Sequence, residues 1–379
     1  MSNYNKTEIY RTRLLLYLTV FVIMALSNAV VPVLPEIAAS EKESSGTLAW
    51  IMLFSGYFIG ALLTMLPFGF LSDRYERLHF VVLAILLTLI SGSILLITEN
   101  LYILIIVRLV EGTACGAFFP VAYALLSEYK EKKRYISEFN FLLNAGLAIG
   151  VAFAGYLAQW HIKSGILLFT VIAGLAFVAG IWILKRHEPV KEVRAGNSAS
   201  PSERGMIAGS FTNRSYLNIW IITFLLFGLT GVITSFYPEH SSGLLSKTEI
   251  GISLAALYVS AMATNILAGR LNLSYNYMII IGVLITVIGT LVFIQQPIMG
   301  LILIGTGSGM GMIGLPMAVS QMNIERGLGM GIFNTYVYAG LGLMPIFTGA
   351  FIEIMEFEII FASTALILLV PVLINRQIN

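Results

Sequence analysis

Arg108 and Glu111 stand three residues apart inside a long apolar run, 101–126. If that run crosses a bilayer, each charge near its centre costs about 2.5–3.5 kcal/mol on insertion scales, so both need a partner or a cavity. Spacing of i, i+3 puts them on one helix face. A carboxylate held there can bind and release a proton under the control of its guanidinium neighbour and its exposure. A static ion pair that fixes packing is the competing reading. Glu36 follows Pro32 and Pro35 at the end of another apolar run; it is a third proton or ligand contact, or an interfacial charge. Amides and phenols also interrupt apolar runs, among them Asn140, Tyr258, Asn265, Gln321 and Tyr336. Such groups hydrogen-bond between helices or line a polar path. Asn28, Tyr57, Asn144, Asn334 and Tyr338 are the candidates for contact with a small molecule, with Asn144 and Tyr338 foremost because they fall mid-run.

The elements that must position these residues follow from composition. The 379-residue chain is 58% hydrophobic and 11% charged, against about 45–50% and 25% for soluble domains. Lipid must therefore solvate much of its surface. At about 20 apolar residues per crossing, spans are predicted near 14–37, 48–71, 79–98, 101–126, 136–159 and 164–184, then near 216–237, 249–269, 275–295, 298–321, 327–352 and 357–375. The first is too long for a signal-peptide core and lacks a small-residue cleavage site, so it reads as an uncleaved span. The fold class is an all-α integral membrane protein of twelve transmembrane helices in two pseudo-symmetric six-helix bundles: 1–184, a linker 185–215 and 216–379. The linker is basic, with a Gly/Ser/Pro-rich middle, Ala195 to Pro201.

With a cytoplasmic N-terminus, the even-numbered loops and both tails hold 18 of the 22 Lys and Arg; the other side holds Lys42, Lys163 and Lys247. That bias places both termini and the linker in the cytosol. The halves also resemble each other. Phe139-Asn140, Ala145-Gly146-Leu147 and Gly155 recur 194 positions later as Phe333-Asn334, Ala339-Gly340-Leu341 and Gly349. Pro120-Val121-Ala122 matches Pro316-Met317-Ala318 more weakly. Parallel repeats of this kind are a transporter architecture with the site between halves.

Gly69-Phe70-Leu71-Ser72-Asp73-Arg74-Tyr75-Glu76-Arg77 resembles the signature loop of the major facilitator superfamily, with Glu76 where a second Gly is expected and only Arg77 of a basic pair. Arg108 to Gly112 with Gly116 resembles the fourth-span motif of its proton-coupled drug-exporter branch, with Glu111 where Gln is usual. Val31 to Pro35 resembles that branch's first-span motif, and Gly146, Gly150 and Gly155 keep the glycines of its antiporter motif without the Pro. The resemblance implies a gating latch of Gly69, Asp73, Arg74 and Arg77, in which Asp73 faces the start of the eleventh span, Gly327 to Gly331. A carboxylate at a helix N-terminus gains about 0.3–1 kcal/mol, up to about 2 when partly buried, weak enough to break every cycle. Gly69 is expected to allow close backbone approach.

Other chemistry is excluded. Gly305-Thr306-Gly307-Ser308-Gly309 lacks the Lys and the strand-to-helix turn of a phosphate loop and reads as small-residue helix packing. His79, His161, His187 and His240 never adopt metal-ligand spacing. Cys115, the one cysteine, reads as a small buried side chain. Glu353, Glu356 and Glu358 read as solvated loop acids. No nucleophile elbow, nucleotide motif or nucleic-acid signal is present, so an enzyme, cofactor or ATP-driven pump is not expected. The expectation is a monomeric plasma-membrane secondary transporter for a small amphipathic molecule, exporting it against protons by rocker-switch alternating access. A proton symporter or facilitator taking up a nutrient such as a sugar or organic acid stays open.

Overall fold

Backbone in lipid must satisfy its own hydrogen bonds, and apolar runs of this length do so as helices. The computed structural model describes residues 6–39, 48–72, 74–186, 214–268, 273–322 and 326–374, and among them it contains helices and connecting turns but no strand. In chain order the helices are α1 (Lys6–Ala29), α2 (Leu34–Ala38), α3 (Leu48–Ser72), α4 (Arg77–Ile97), α5 (Leu101–Glu128), α6 (Lys132–Leu157) and α7 (Ser164–Lys185). There follow α8 (Arg214–His240), α9 (Lys247–Ala268), α10 (Tyr275–Gln295), α11 (Pro297–Ser320), α12 (Arg326–Gly349) and α13 (Phe357–Ile374).

α1 and α2 form one apolar stretch, Glu8–Ala38, so the thirteen helices make twelve rods. Pro32 and Pro35 lack N–H donors, and the ladder tightens between them into a 3₁₀ turn, Val31–Val33. Eleven rods are long and apolar enough to cross a membrane, and α13 is a shorter apolar helix. The spans read from hydropathy agree with these rods to within four residues, except that α1 starts eight residues before the predicted 14. Of the linker, Lys185 closes α7 and Arg214 opens α8; 187–213 lie outside the described residues.

Two compact units result. The first comprises Met1–Ser45, Gly56–Gly196 and Ser246–Gly251; the second comprises Gly46–Ser55, Asn197–Leu245 and Ile252–Asn379. In the first, α1 packs on α6 and α7, and α4 on α5 and α7. In the second, α12 packs on α8, and α10 on α11 and α13. The sequence repeat has a physical counterpart. A Cβ at Gly146 would lie 2.7 Å from the Phe21 carbonyl oxygen in α1, and one at Gly340 would overlap the Phe224 carbonyl in α8. Small residues let backbones meet at both crossings.

A second match, in the glycine contacts of α5 and α11, sits at an offset of 193 and replaces the weaker Pro120/Pro316 alignment at 196. In α5, Cβ atoms at Gly112 and Gly116 would strike the Tyr57 and Ala61 carbonyls of α3; in α11, those at Gly305 and Gly309 would strike the Leu257 and Ala261 carbonyls of α9. Gly307 between them faces α10, where an added Cβ would lie 2.7 Å from Thr286 N, too close for any side chain. The glycine run is thus helix packing on two faces.

Lipid-facing positions are large and apolar, as at Leu63, Ile97, Leu175, Val178, Leu366 and Leu373. Buried hydroxyls spend themselves on their own helix: Thr19, Thr88, Thr230, Thr234, Thr286 and Thr290 each donate to the carbonyl four residues back. Gly243, in the turn before α9, has φ +78° with open space around it. Alanine there is expected to cost about 1–2 kcal/mol for the left-handed backbone. At Gly331, a helical glycine where an added methyl meets nothing within 4 Å among the described residues, alanine should be neutral or slightly stabilising. Thermal unfolding of G243A and G331A in detergent checks the contrast.

Candidate functional site

The charged pair sits where four helices of the first unit meet. α5 begins cleanly because Asn100 caps it, its side chain accepting from Ile103 N at 3.1 Å. Two turns on, the backbones of α3 and α5 touch: a Cβ at Gly60 would overlap the Leu109 carbonyl, as one at Gly112 would the Tyr57 carbonyl. This contact brings the Tyr57 ring within 5.1 Å of the Arg108 Cζ, a cation–π distance. A Cβ at Gly56 would lie 3.3 Å from the Arg108 Cβ, so small residues on α3 make room for the arginine stem.

Arg108 donates from Nη1 to Glu111 Oε2 at 2.5 Å and from Nη2 to the Ser27 carbonyl of α1 at 3.4 Å. Ser91 of α4 lies 3.4 Å from the same Glu111 oxygen and 3.2 Å from the Val107 carbonyl. Both charged residues are sealed from solvent, Arg108 at 1% and Glu111 at 0% exposure. The other carboxylate oxygen, Glu111 Oε1, is buried and accepts no hydrogen bond among the described residues. An unmet buried acceptor is costly, and a proton on that oxygen would remove the charge that makes it so. Oε1 therefore has room in its bonding for a proton. The Tyr57 hydroxyl lies beside Cys115 and Ser27, and Cys115 is fully buried.

Of the remaining residues singled out above, Asn28 is buried and donates to the Leu147 carbonyl of α6 at 3.1 Å. It joins α1 to α6 one residue beyond Ser27. Asn144, on α6, is half-buried and donates to the Asn140 carbonyl of its own helix at 2.9 Å, while Asn140 accepts from the Tyr123 hydroxyl at 2.7 Å. Asn334 and Tyr338 are half-buried on α12 in the second unit. Glu36, in α2, forms an ion pair with Lys247, and its Oε2 is buried with no hydrogen-bond partner among the described residues. It is no part of the Arg108 network. Next to it, the Thr248 hydroxyl donates to the Gly155 carbonyl at 3.3 Å.

In the signature loop, Arg77 bridges to Glu128 at the end of α5, and Arg74 is exposed in the turn after α3. Asp73 lies outside the described residues, and so do the side chains of 323–328 where the latch is expected to close. Gly69 departs from its expectation: among the described residues an added Cβ would meet only the Pro120 Cβ, at an ordinary 3.8 Å. No backbone among the described residues comes close to this glycine. Glu353 and Glu356 are exposed, and Glu358 lies 3.8 Å from His240.

Sequence reasoning missed several contacts. Ser27 and Ser91 carry no signal in an apolar run, because a serine there is unremarkable until its helix face is known. The Tyr17 hydroxyl donates to Glu138 Oε2 at 2.7 Å, Arg134 Nε donates to Glu138 Oε1 at 2.8 Å, and the Arg13 guanidinium covers Tyr135 at 4.4 Å. Glu138 near the start of α6 was the available clue. Buried Trp220 stacks on Tyr336 with centroids 5.5 Å apart. The Glu36–Lys247 pair could have been read from the alternation of loops, which puts both on one side.

The profile of the Major Facilitator Superfamily matches residues 16–322. Multidrug resistance protein 2 of Bacillus subtilis is 23% identical over 268 residues, covering 68% of this chain and 66% of that protein. Quinolone resistance protein NorA of Staphylococcus aureus is 22% identical over 185 residues, 48% of this chain and 46% of that protein. The chain thus matches about half to two thirds of the length of these relatives. The nucleoside transporter NupG has the same fold, with a TM-score of 0.74 over 94% of this chain and 97% of that one at 12% identity.

Proposed function

The chain belongs to the Major Facilitator Superfamily, and from that premise we propose that it is a proton-coupled exporter of small amphipathic molecules. It is a multi-pass transporter; the proposal concerns direction, coupling and substrate. The observation that carries it is the sealed Arg108–Glu111 pair with Oε1 of Glu111 unengaged. A proton can be taken up on that oxygen without displacing the Arg108 and Ser91 contacts to Oε2. Proton uptake at Glu111 cancels its charge and loosens the Nη1 contact. Because Arg108 also holds the Ser27 carbonyl and lies over Tyr57, this change is passed to α1 and α3. The similarity to two drug-resistance proteins supports export of drug-like molecules over nutrient uptake.

In this reading the chain works in the plasma membrane as a monomer with both termini in the cytosol. Its six-helix halves, 1–184 and 216–379, exchange access by rocking. Asn28, Tyr57, Asn144, Asn334 and Tyr338 contribute polar contacts to the substrate path, Glu36 acts as a second proton contact, and Asp73 with Arg74 and Arg77 forms the latch. The test is transport in proteoliposomes under an imposed pH gradient, over lipophilic cations, nucleosides, sugars and organic acids. The expected result is accumulation of a lipophilic cation against its gradient, with protons moving the opposite way. Transport of a sugar or acid alone, or transport indifferent to the pH gradient, overturns the proposal.

A further inference from the structure

At one end of the first unit, two guanidinium groups converge on a single indole. Arg11 of α1 places its Cζ 5.4 Å from the centroid of the Trp182 ring, and Arg186, which caps α7, places its Cζ 4.2 Å from it. The two cations are therefore within roughly 10 Å of each other, about one Debye length in physiological salt. Trp182 is 47% exposed, and Lys185 and Arg186 are exposed beside it. Among the described residues no ion pair to a carboxylate involves Arg11 or Arg186. Glu8, one turn before Arg11, has contacts of its own. The remaining attraction is to the α7 carbonyl end.

Two cations on one ring, at the last turn of a spanning helix, make a positive patch that an anion at the membrane interface would neutralise. The position names the occupant. α1 begins and α7 ends here, so this is an interface between the apolar layer and water, where an indole sits at headgroup depth. Guanidinium forks match phosphate oxygens in pairs. We propose that Arg11, Trp182 and Arg186 form a binding site for the headgroup of one anionic phospholipid, whose phosphate bridges the two arginines while its acyl chains lie along the apolar faces of α1 and α7. Exposed Leu14 on α1 and Val178 on α7 offer such faces one turn deeper. This reading does not depend on what the protein transports.

The full-length protein is reconstituted in phosphatidylcholine vesicles doped with brominated phosphatidylcholine or brominated phosphatidylglycerol. Fluorescence quenching of Trp182 is taken as the difference from a W182F variant. A basic side chain near an anionic surface is expected to favour an anionic lipid about five-fold. Half-maximal quenching should therefore need at least about five-fold less phosphatidylglycerol than phosphatidylcholine. In an R11Q/R186Q variant the two lipids should quench alike, and added millimolar inorganic phosphate should leave the wild-type preference unchanged. Equal quenching of the wild type by both lipids overturns the proposal, a comparison that stands even if the double variant does not fold. So does a preference that survives in the double variant, or one that inorganic phosphate abolishes, which would mark a site for a soluble anion.

Discussion

Glu111→Gln is expected to reduce pH-gradient-driven transport to background. The amide keeps the shape of the carboxyl and can still accept from Arg108 and Ser91, but it cannot cycle a proton. It also leaves the Arg108 charge buried without a counter-ion, and breaking such a pair by one partner costs about 3–5 kcal/mol. Loss of transport alone would therefore be ambiguous. The double variant R108Q/E111Q resolves it, because two neutral amides remove the lone charge and should recover most of the lost thermal stability. Uncoupled exchange of substrate should return with it, and gradient-driven accumulation should not. Recovery of full coupled transport in the double variant would show that the pair only holds helices together.

Gly112→Leu is expected to prevent recovery of folded protein. A Cβ at this position would lie 2.8 Å from the backbone N of Ala61 and would overlap the Tyr57 carbonyl. Both obstacles are main chain, so no rotamer change relieves them. Forcing methylenes into a close-packed interior costs about 1–3 kcal/mol where side chains can shift, and the cost here is larger because two helices must separate. The same displacement carries Tyr57 off Arg108. Size-exclusion chromatography and thermal unfolding in detergent measure the effect. Gly69→Ala is the control: with only Pro120 Cβ at 3.8 Å, it should purify and unfold like the wild type.

What hydropathy reveals of this protein, and what it conceals, has one cause. The solvent for the outer surface is as apolar as the packed interior. Twelve runs of apolar residues are legible because water lies at both ends of each, and charges such as those at Lys132 to Arg134 extend α6 slightly past the predicted start. Arg108 and Glu111 are legible because a charge in such a run is anomalous. Helix rotation is not legible, since an α3 or α10 that is apolar all round has no polar stripe to mark its outer face. That is why Tyr57 and Asn28 could be named while their partners could not. Asn28 meets Leu147, 119 residues away, and nothing local encodes that meeting. Gly69 shows the converse: a familiar motif suggested a steric reason that no described neighbour supplies. The Gly112–Gly116 and Gly305–Gly309 pairs went unmatched for a simpler reason, as their offset differs by one from that of the α6 and α12 repeat.

That glycine register also exposes an inequality between the halves. The positions in α11 matching Arg108 and Glu111 are Leu301 and Ile304, both fully buried. During biosynthesis α11 can therefore leave the translocation channel for lipid on its own greasiness. α5 bears two residues that each resist that step by about 2.5–3.5 kcal/mol. Their one-turn spacing lets them neutralise each other inside the nascent helix, before Ser27, Tyr57 or Ser91 are there to help. A chain with this pair in α5 must carry its own counter-ion into the bilayer before the other helices arrive.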